Sequence, residues 1–283
     1  TAHMSELAGL PEDALAAAAP VAYQWRRGLR RLRALGRFVA DTQAHGAPLN
    51  LSPVAHLSLQ AACAHAAVLA RQLGHWRDQD ALAWIPRKLQ QLDLAALPVP
   101  TLPAPDGCPA SPVAAARSAL ATELCLQVLT ALLAEGEGLT DVTDVTAPLS
   151  AHAWLSDGLR RWHGHCARTA RRFDDLGPHR AHRLRRRARQ LRDMLDLFAP
   201  LWPQAEGKHA HEAHARHAHA LVKALDALGA LQDETVALAR YRSVLAQDIR
   251  AQAACTWLQE RRKPLRKKAQ RALRRWLTRS APW

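Results

Sequence analysis

The side chains with the most chemistry to offer in this sequence are guanidinium groups, and they recur at helical spacing. Arg26, Arg30 and Arg33 stand at i, i+4 and i+7, and so do Arg185, Arg189 and Arg192. Those offsets place each trio on one face of an α-helix. Laying 23–33 over 182–192 also sets Leu32 on Leu191, so each basic stripe runs beside leucine. Arg27 lies beside the first stripe, and Arg37 extends it by one turn. Like charges at these offsets cost a helix roughly 0.2–0.5 kcal/mol per pair. A chain that carries this cost twice, in one register, points to a partner that neutralises it, namely a polyanion. Arginine suits phosphate because its planar fork gives bidentate, charge-assisted hydrogen bonds.

Other candidates surround the stripes. Lys223 precedes Leu228-Gly229 and is expected to point toward the second stripe. In the last segment Lys267 and Arg271 share a face, with Arg274 near it and Lys263 just before Pro264. Asp78 and Asp233 would repel a polyanion, so they read as helix caps or as carboxylates that orient an arginine, with a metal-bridged role as the alternative. His209, His211, His214, His217 and His219 form a run in which three residues are spaced three apart. Zinc or nickel could be held that way; the competing reading is an exposed polar helix face. His163 and His165 flank Gly164 and carry no stronger signal. The sequence contains no P-loop, GxSxG, HExxH or CxxC pattern, so no catalytic activity and no cofactor are expected.

The elements that must position these residues read as helices. Ala and Leu dominate, β-branched residues are sparse, and no long stretch alternates with period two. The expected fold class is all-α. Long helices are expected over about 20–44, with Pro20 in the first turn, and over 52–74, with Gly74 as C-cap. A further one is expected over 75–94, kinked at Pro86. The Pro-rich 97–112 is a loop, and Ser111-Pro112 opens a helix to about 135 that is apolar nearly all round and expected to be deeply buried. The remaining expectations are 150–173, 179–197, 208–228, 234–249 and a basic 251–279 with a break or kink at Pro264. Gly28 either permits a close helix crossing or a ligand's approach, or is tolerated drift.

With 283 residues and 48% hydrophobic content the chain can bury a core, and its formal charge is +14. That balance favours nucleic acid, an anionic membrane surface or another polyanion; a merely solvated basic surface is the plain alternative. The five cysteines are Cys63, Cys108, Cys125, Cys166 and Cys255. They form no close pair and read as buried thiols of a reducing cytoplasm. No stretch reads as a membrane span and no secretory leader is expected, Thr1-Ala2-His3 reading as a cloning remnant before Met4.

Leu73-Gly74-His75-Trp76-Arg77-Asp78 and Leu228-Gly229-Ala230-Leu231-Gln232-Asp233 share one pattern, and each follows an arginine stripe at similar distance. Two motifs recurring in order suggest an internal duplication. A helix opening His182-x-x-Arg185 with further arginines on its face, a later Leu-Gly-x-x-x-Asp, and one repetition of both resemble the conserved histidine α-helical domain (CHAD). The resemblance spans about Pro11 to Arg279. It implies two pseudo-symmetric helical halves, taken here as 5–147 and 148–283 of a single domain, with a basic groove or pore between them that binds inorganic polyphosphate. It also implies association with polyphosphate granules and their proteins. His182 matches the family histidine; Tyr23 takes its place in the first half. The Glu-x-Glu-x-Lys signature of the triphosphate-tunnel domain fused to some members is absent, Glu135-Gly136-Glu137-Gly138-Leu139 lacking the lysine.

The expected function is therefore non-enzymatic polyphosphate binding in the cytoplasm, through Arg26, Arg27, Arg30, Arg33, Arg37, His182, Arg185, Arg189, Arg192, Lys223, Lys263, Lys267 and Arg271. A general polyanion or nucleic-acid binder is the alternative, although no helix-turn-helix or other reader is visible. An enzyme acting on phosphate chains would need a carboxylate set for metal ions that the sequence does not display.

Overall fold

The computed structural model describes residues 12–46, 51–80, 82, 84–94, 98–100, 111–136, 151–199, 207–279 and 281. Among these residues every regular element is helical. In chain order they are α1 (Glu12–Ala44), α2 (Pro53–Asp80), α3 (Trp84–Gln91), α4 (Pro112–Ala116), α5 (Ala119–Gly136), α6 (Ala151–Arg171), α7 (Pro178–Leu197), α8 (Gly207–Val244) and α9 (Ala251–Leu277). A 3₁₀ turn, Phe173–Asp175, joins α6 to α7.

Helix starts follow local chemistry. Ser52 Oγ accepts from the Ala55 amide at 3.2 Å ahead of Pro53, and Ser111 Oγ accepts from the Ala114 amide at 3.1 Å ahead of Pro112. Both are N-cap bonds with proline in the first turn. Gly177 in extended backbone precedes Pro178 at the start of α7.

Helix ends depart from expectation more often. α2 runs through Leu73-Gly74 to Asp80, and α8 runs through Leu228-Gly229 to Val244. Neither Leu-Gly-x-x-x-Asp motif is a turn. Among the described residues the only left-handed positions are Gly46 and Asp93, so Gly74 does not cap α2. A helical glycine costs about 1 kcal/mol against alanine. In α8 the buried Ala227, Leu228 and Leu231 around Gly229 offset it. The helix containing Pro20 begins at Glu12, so that proline lies inside α1 rather than in its first turn. α3 is short, with Pro86 in its first turn instead of at a kink, and α9 passes Pro264 without a break. The expected 112–135 helix is interrupted at Arg117-Ser118, where Ser118 Oγ caps α5 through the Ala121 amide at 3.3 Å.

The chain divides into two compact units. The first comprises 1–77 and 103–150, the second 78–102 and 151–283. These are not the linear halves 5–147 and 148–283, because the α3 segment packs with the C-terminal helices. In the first unit Leu29 of α1, Ala66, Leu69 and Leu73 of α2, Ala115 of α4, and Ala121 and Leu124 of α5 form the core. Gly36 makes the tight crossing between α1 and α2: a Cβ there would run into the Cys63 sulfur, whereas around Gly28 the space is open. The beginning of α5 is packed, but Leu126, Leu129, Leu132 and Leu133 are each more than half exposed. Among the described residues the deep burial expected of this helix is not found along this face. Pro53–Gly74 and Pro112–Ala134 do reach the length and mean hydropathy of membrane spans, which corrects the sequence expectation that no stretch does.

In the second unit α9 lies along α8, α8 packs on α7, and α7 on α6. Leu82, Ile85 and Leu89 of the α3 segment join Ala237, Leu238 and Tyr241 of α8 and Ala251, Ala254 and Leu258 of α9 in one cluster. Cys166 and Cys255 are buried, as expected, but Cys63 is half-buried and Cys125 exposed. Burial pushes the Cys166 thiol up to about 12, with the Arg187 charge opposing it.

Candidate functional site

α7 carries three longitudinal faces. Ala181, Leu184, Ala188, Leu191 and Leu195 are buried and form the apolar face. On one side of it run His182, Arg185, Arg189 and Arg192, all half-buried; on the other run Arg180, Arg183 and Arg187, all exposed. This follows from the 3.6-residue period, which turns an Arg-rich sequence with leucine every three or four positions into an apolar seam with two basic flanks.

The first flank is the stripe expected from the sequence, and it is built into its surroundings. Arg192 lies 3.4 Å from the carboxylate of the fully buried Asp193 and 3.6 Å from Asp196. Arg185 lies against α8 where Gly229 has no side chain: a Cβ on Gly229 would stand 3.0 Å from the Arg185 Nη2. The glycine of the second Leu-Gly-x-x-x-Asp motif therefore admits a guanidinium into the α7–α8 contact. Gly74, its counterpart in the first motif, has nothing within reach.

The second flank faces α6. Arg180, Arg183 and Arg187 oppose Arg168, Arg171 and Arg172 across a groove of about 600 Å³, floored by Leu176 and Leu184, with Asp175 as the acidic residue in its lining. None of these arginines is among the site residues expected from the sequence. The signal was present, since Arg180, Arg183 and Arg187 have the offsets i, i+3 and i+7. The corner that sets the groove is tied down from α9. Arg266 Nη2 donates to the carbonyls of Phe173 at 2.9 Å, Asp174 at 3.0 Å and Leu176 at 2.7 Å, and its guanidinium stacks over the Phe173 ring. Asp174 also takes a hydrogen bond from Gln270 and lies 3.6 Å from Arg274.

The remaining expected site residues separate. Lys223, with Arg271, Lys268, Arg275 and His219, lines a cleft of about 460 Å³ between α8 and α9. Lys263, Arg262 and Arg266 line a smaller pocket of about 210 Å³ whose other walls include Leu228 and Leu231. Lys267 is exposed on α9. In the first unit Arg26, Arg27, Arg30 and Arg33 are half-buried on α1 and Arg37 is exposed, as is Tyr23. Burial raises the Cys63 thiol, against which the Gly36 backbone and the charges of Arg33 and Arg37 act, so the distal end of that stripe runs beside the α1–α2 crossing.

Among the described residues of the histidine run His219 is exposed, His214 half-buried and His217 buried, so the run is not one exposed polar face. His217 is fully buried and its Nε2 accepts from Trp276 Nε1 at 3.1 Å. His163 completes a ring cluster, its centroid 5.3 Å from both His217 and Trp276. Burial holds His163 below the usual imidazole range, and the Arg171 charge adds to this. Among the described residues no group of three His, Cys, Asp or Glu is placed to hold a metal ion; the side chains of His209, His211 and Asp78 lie outside what the structure describes. Glu234, next to Asp233, is a carboxylate that orients an arginine. It is buried, it accepts from Arg261 Nε at 2.5 Å, and Arg261 in turn lies over Trp257 and Trp84. Burial nonetheless keeps the Glu234 carboxyl above its ordinary range.

Neither the comparison with curated proteins nor that with solved structures gives a match. A family comparison does: the model of the CHAD domain matches residues 1–242. The match takes in both stripes, both Leu-Gly-x-x-x-Asp motifs and the α6–α7 pair, and ends within α8, so α9 with Lys263, Lys267 and Arg271 falls beyond it. On that match the chain belongs to the CHAD domain family.

Proposed function

We propose that the chain binds inorganic polyphosphate without acting on it, and that His182, Arg185 and Arg189 on α7 are its principal contacts. The observation that carries the reading is the half-buried flank of α7, where guanidinium groups are held by packing before any ligand arrives. Gly229 fixes where Arg185 lies, and the carboxylates of Asp193 and Asp196 fix Arg192. A pre-positioned guanidinium loses less rotamer freedom on binding than an exposed one. A condensed phosphate chain has no base or sugar to read, so its recognition reduces to charge and spacing. Helical arginines three and four residues apart provide roughly one cation per 5–6 Å of axis.

The α1 stripe of Arg26, Arg27, Arg30, Arg33 and Arg37 is the corresponding surface of the first unit, and we read the two as products of one duplication. Lys223 and Arg271 in the α8–α9 cleft extend the basic surface of the second unit, with Lys263 and Lys267 as peripheral cations. Membership of the family supports granule association, with polyphosphate-granule proteins as partners in the cytoplasm. The second reading, a general polyanion or nucleic-acid binder, is favoured by one observation: the charge of +14 is distributed over several faces.

Titration with long-chain polyphosphate at two salt concentrations, against a DNA probe of equal charge, separates them. Polyphosphate affinity that falls with salt yet exceeds that for DNA at both concentrations supports the first reading; equal affinities favour the second. Phosphate release on incubation with magnesium would overturn the non-enzymatic part.

A further inference from the structure

We propose that the groove between α6 and α7 is a second anion site, separate from the stripe, and that it takes a compact linear phosphate chain of the triphosphate class. The site uses none of the residues assigned to the stripe. Its walls bring six guanidinium groups, from Arg168, Arg171, Arg172, Arg180, Arg183 and Arg187, to one cavity of about 600 Å³. On α7 three of them fall within roughly 10 Å of helix axis, from seven residues at 1.5 Å rise.

Among the described residues Arg171, Arg172, Arg180, Arg183 and Arg187 take part in no ion pair, and Arg168 is hydrogen-bonded to His165 Nδ1 at 3.1 Å. Asp175 is the one carboxylate in the lining, against six cations. Stacked like charges oppose one another along each wall and across the gap, and leucine at the floor excludes part of the water that would screen them. An anion entering the groove relieves both terms. The walls are also held apart at a set angle, since Arg266 binds three carbonyls of the α6–α7 corner. A preformed cavity binds with less ordering cost than a closing one.

The ligand class follows from charge density. Six cations in so short a span call for anions closer together than nucleotide phosphates, which a sugar separates. In a condensed phosphate neighbouring phosphorus atoms share an oxygen. Free tripolyphosphate and a nucleoside triphosphate both offer this chemistry.

The test is calorimetric titration of the full chain with sodium tripolyphosphate, with ATP as a parallel arm. The wild type is compared with Arg183→Glu/Arg187→Glu and with Arg185→Glu/Arg189→Glu. Expected is a loss of one binding equivalent, or at least a tenfold weakening of it, in the Arg183/Arg187 variant, with that equivalent kept in the Arg185/Arg189 variant. The milder Arg172→Gln/Arg187→Gln, one change on each wall, should weaken it severalfold with helical circular dichroism unchanged, which guards against misfolding. Equal loss for ATP and tripolyphosphate makes the triphosphate moiety sufficient; loss for tripolyphosphate alone assigns the inorganic chain. Unaltered tripolyphosphate binding in both groove variants would overturn the proposal. So would a groove that takes an equal-charge DNA duplex as tightly as tripolyphosphate. Failure of the stripe reading is visible separately, as long-chain polyphosphate binding that survives Arg185→Glu/Arg189→Glu.

Discussion

The two basic flanks of α7 have the same composition and opposite environments. One holds Arg185, Arg189 and Arg192, half-buried, with Arg185 pressed to Gly229 and Arg192 beside Asp193 and Asp196. The other holds Arg180, Arg183 and Arg187, exposed and facing more arginines. The first flank is packed and partly neutralised by Asp193 and Asp196; the second is exposed and faces the arginines of α6 across a groove with one carboxylate in its lining. Placing arginine on a helix is thus a local matter, but whether it is packed or left exposed depends on which helix it meets. α8 offers a glycine and leaves room to pack, while α6 offers its own cations.

The comparison breaks most severely if the fixed flank proves dispensable. On the proposed reading, reversing Arg185 and Arg189 to Glu removes two charge-assisted contacts worth about 1.5–3 kcal/mol each, so long-chain polyphosphate affinity should fall by at least roughly 100-fold. Circular dichroism should remain helical. Unchanged affinity in a displacement assay would make this flank ordinary surface.

The next effect concerns what holds the open flank in shape. Arg266→Ala deletes a charged donor to three carbonyls, a loss of about 1–3 kcal/mol. The melting temperature should drop by several degrees, at roughly 2–4 °C per kcal/mol for a unit of this size. A melt unaltered by the substitution would show that the α6–α7 corner stands without it.

A smaller effect links the open flank to pH. His163 is held below its ordinary pKa by burial, with Arg171 adding to it. The folded state therefore binds this proton less readily than the unfolded chain, whose histidine titrates near ~6.5. Stability from this group is complete above about pH 6.5 and is lost as pH falls from there toward the folded value. Thermal melts across pH 8 to 5.5 should decline at the acid end. Tripolyphosphate in the groove, by offsetting the Arg171 charge, should make the decline shallower. A flat profile in that range would remove His163 from the account.

The smallest pair sharpens the role of glycine. Gly229→Ala should displace the Arg185 guanidinium by a few tenths of an ångström and weaken polyphosphate binding by a few-fold. Gly74→Ala meets open space and should stabilise the protein by up to about 1 kcal/mol. Equal responses at the two sites, in binding and in denaturant melts, would show that Gly229 has no special relation to Arg185.

How much of this was readable beforehand varies with the range of the interaction. The all-helical class, the residues of the α7 stripe sharing one face, and the starts at Ser52-Pro53 and Ser111-Pro112 all rest on contacts within one or two turns, and the structure has each of them. The glycines misled. Gly74 and Gly229 look like helix ends by composition, yet a glycine ends a helix only when the chain turns left-handed there, and packing on both sides keeps α8 straight. The His209–His219 run misled in the same way. His217 carries a polar label, but its position opposite Trp276 turns it into a buried acceptor. The apolar α5 misled in reverse, since hydrophobicity all round does not supply a neighbour to bury it.

The amino-acid sequence alone determined that this protein is helical, strongly basic and carries two arginine stripes on helix faces, because helix periodicity and charge are properties of neighbouring residues. Tertiary structure alone decided that α7 has a packed flank and an open one, that Lys223 lines a cleft with Arg271 of α9, and that α6 and α7 close six arginines around a groove. Those outcomes depend on contacts between residues far apart in the chain, where burial, the reach of a guanidinium and the presence of one carboxylate decide the balance, and no local pattern records them.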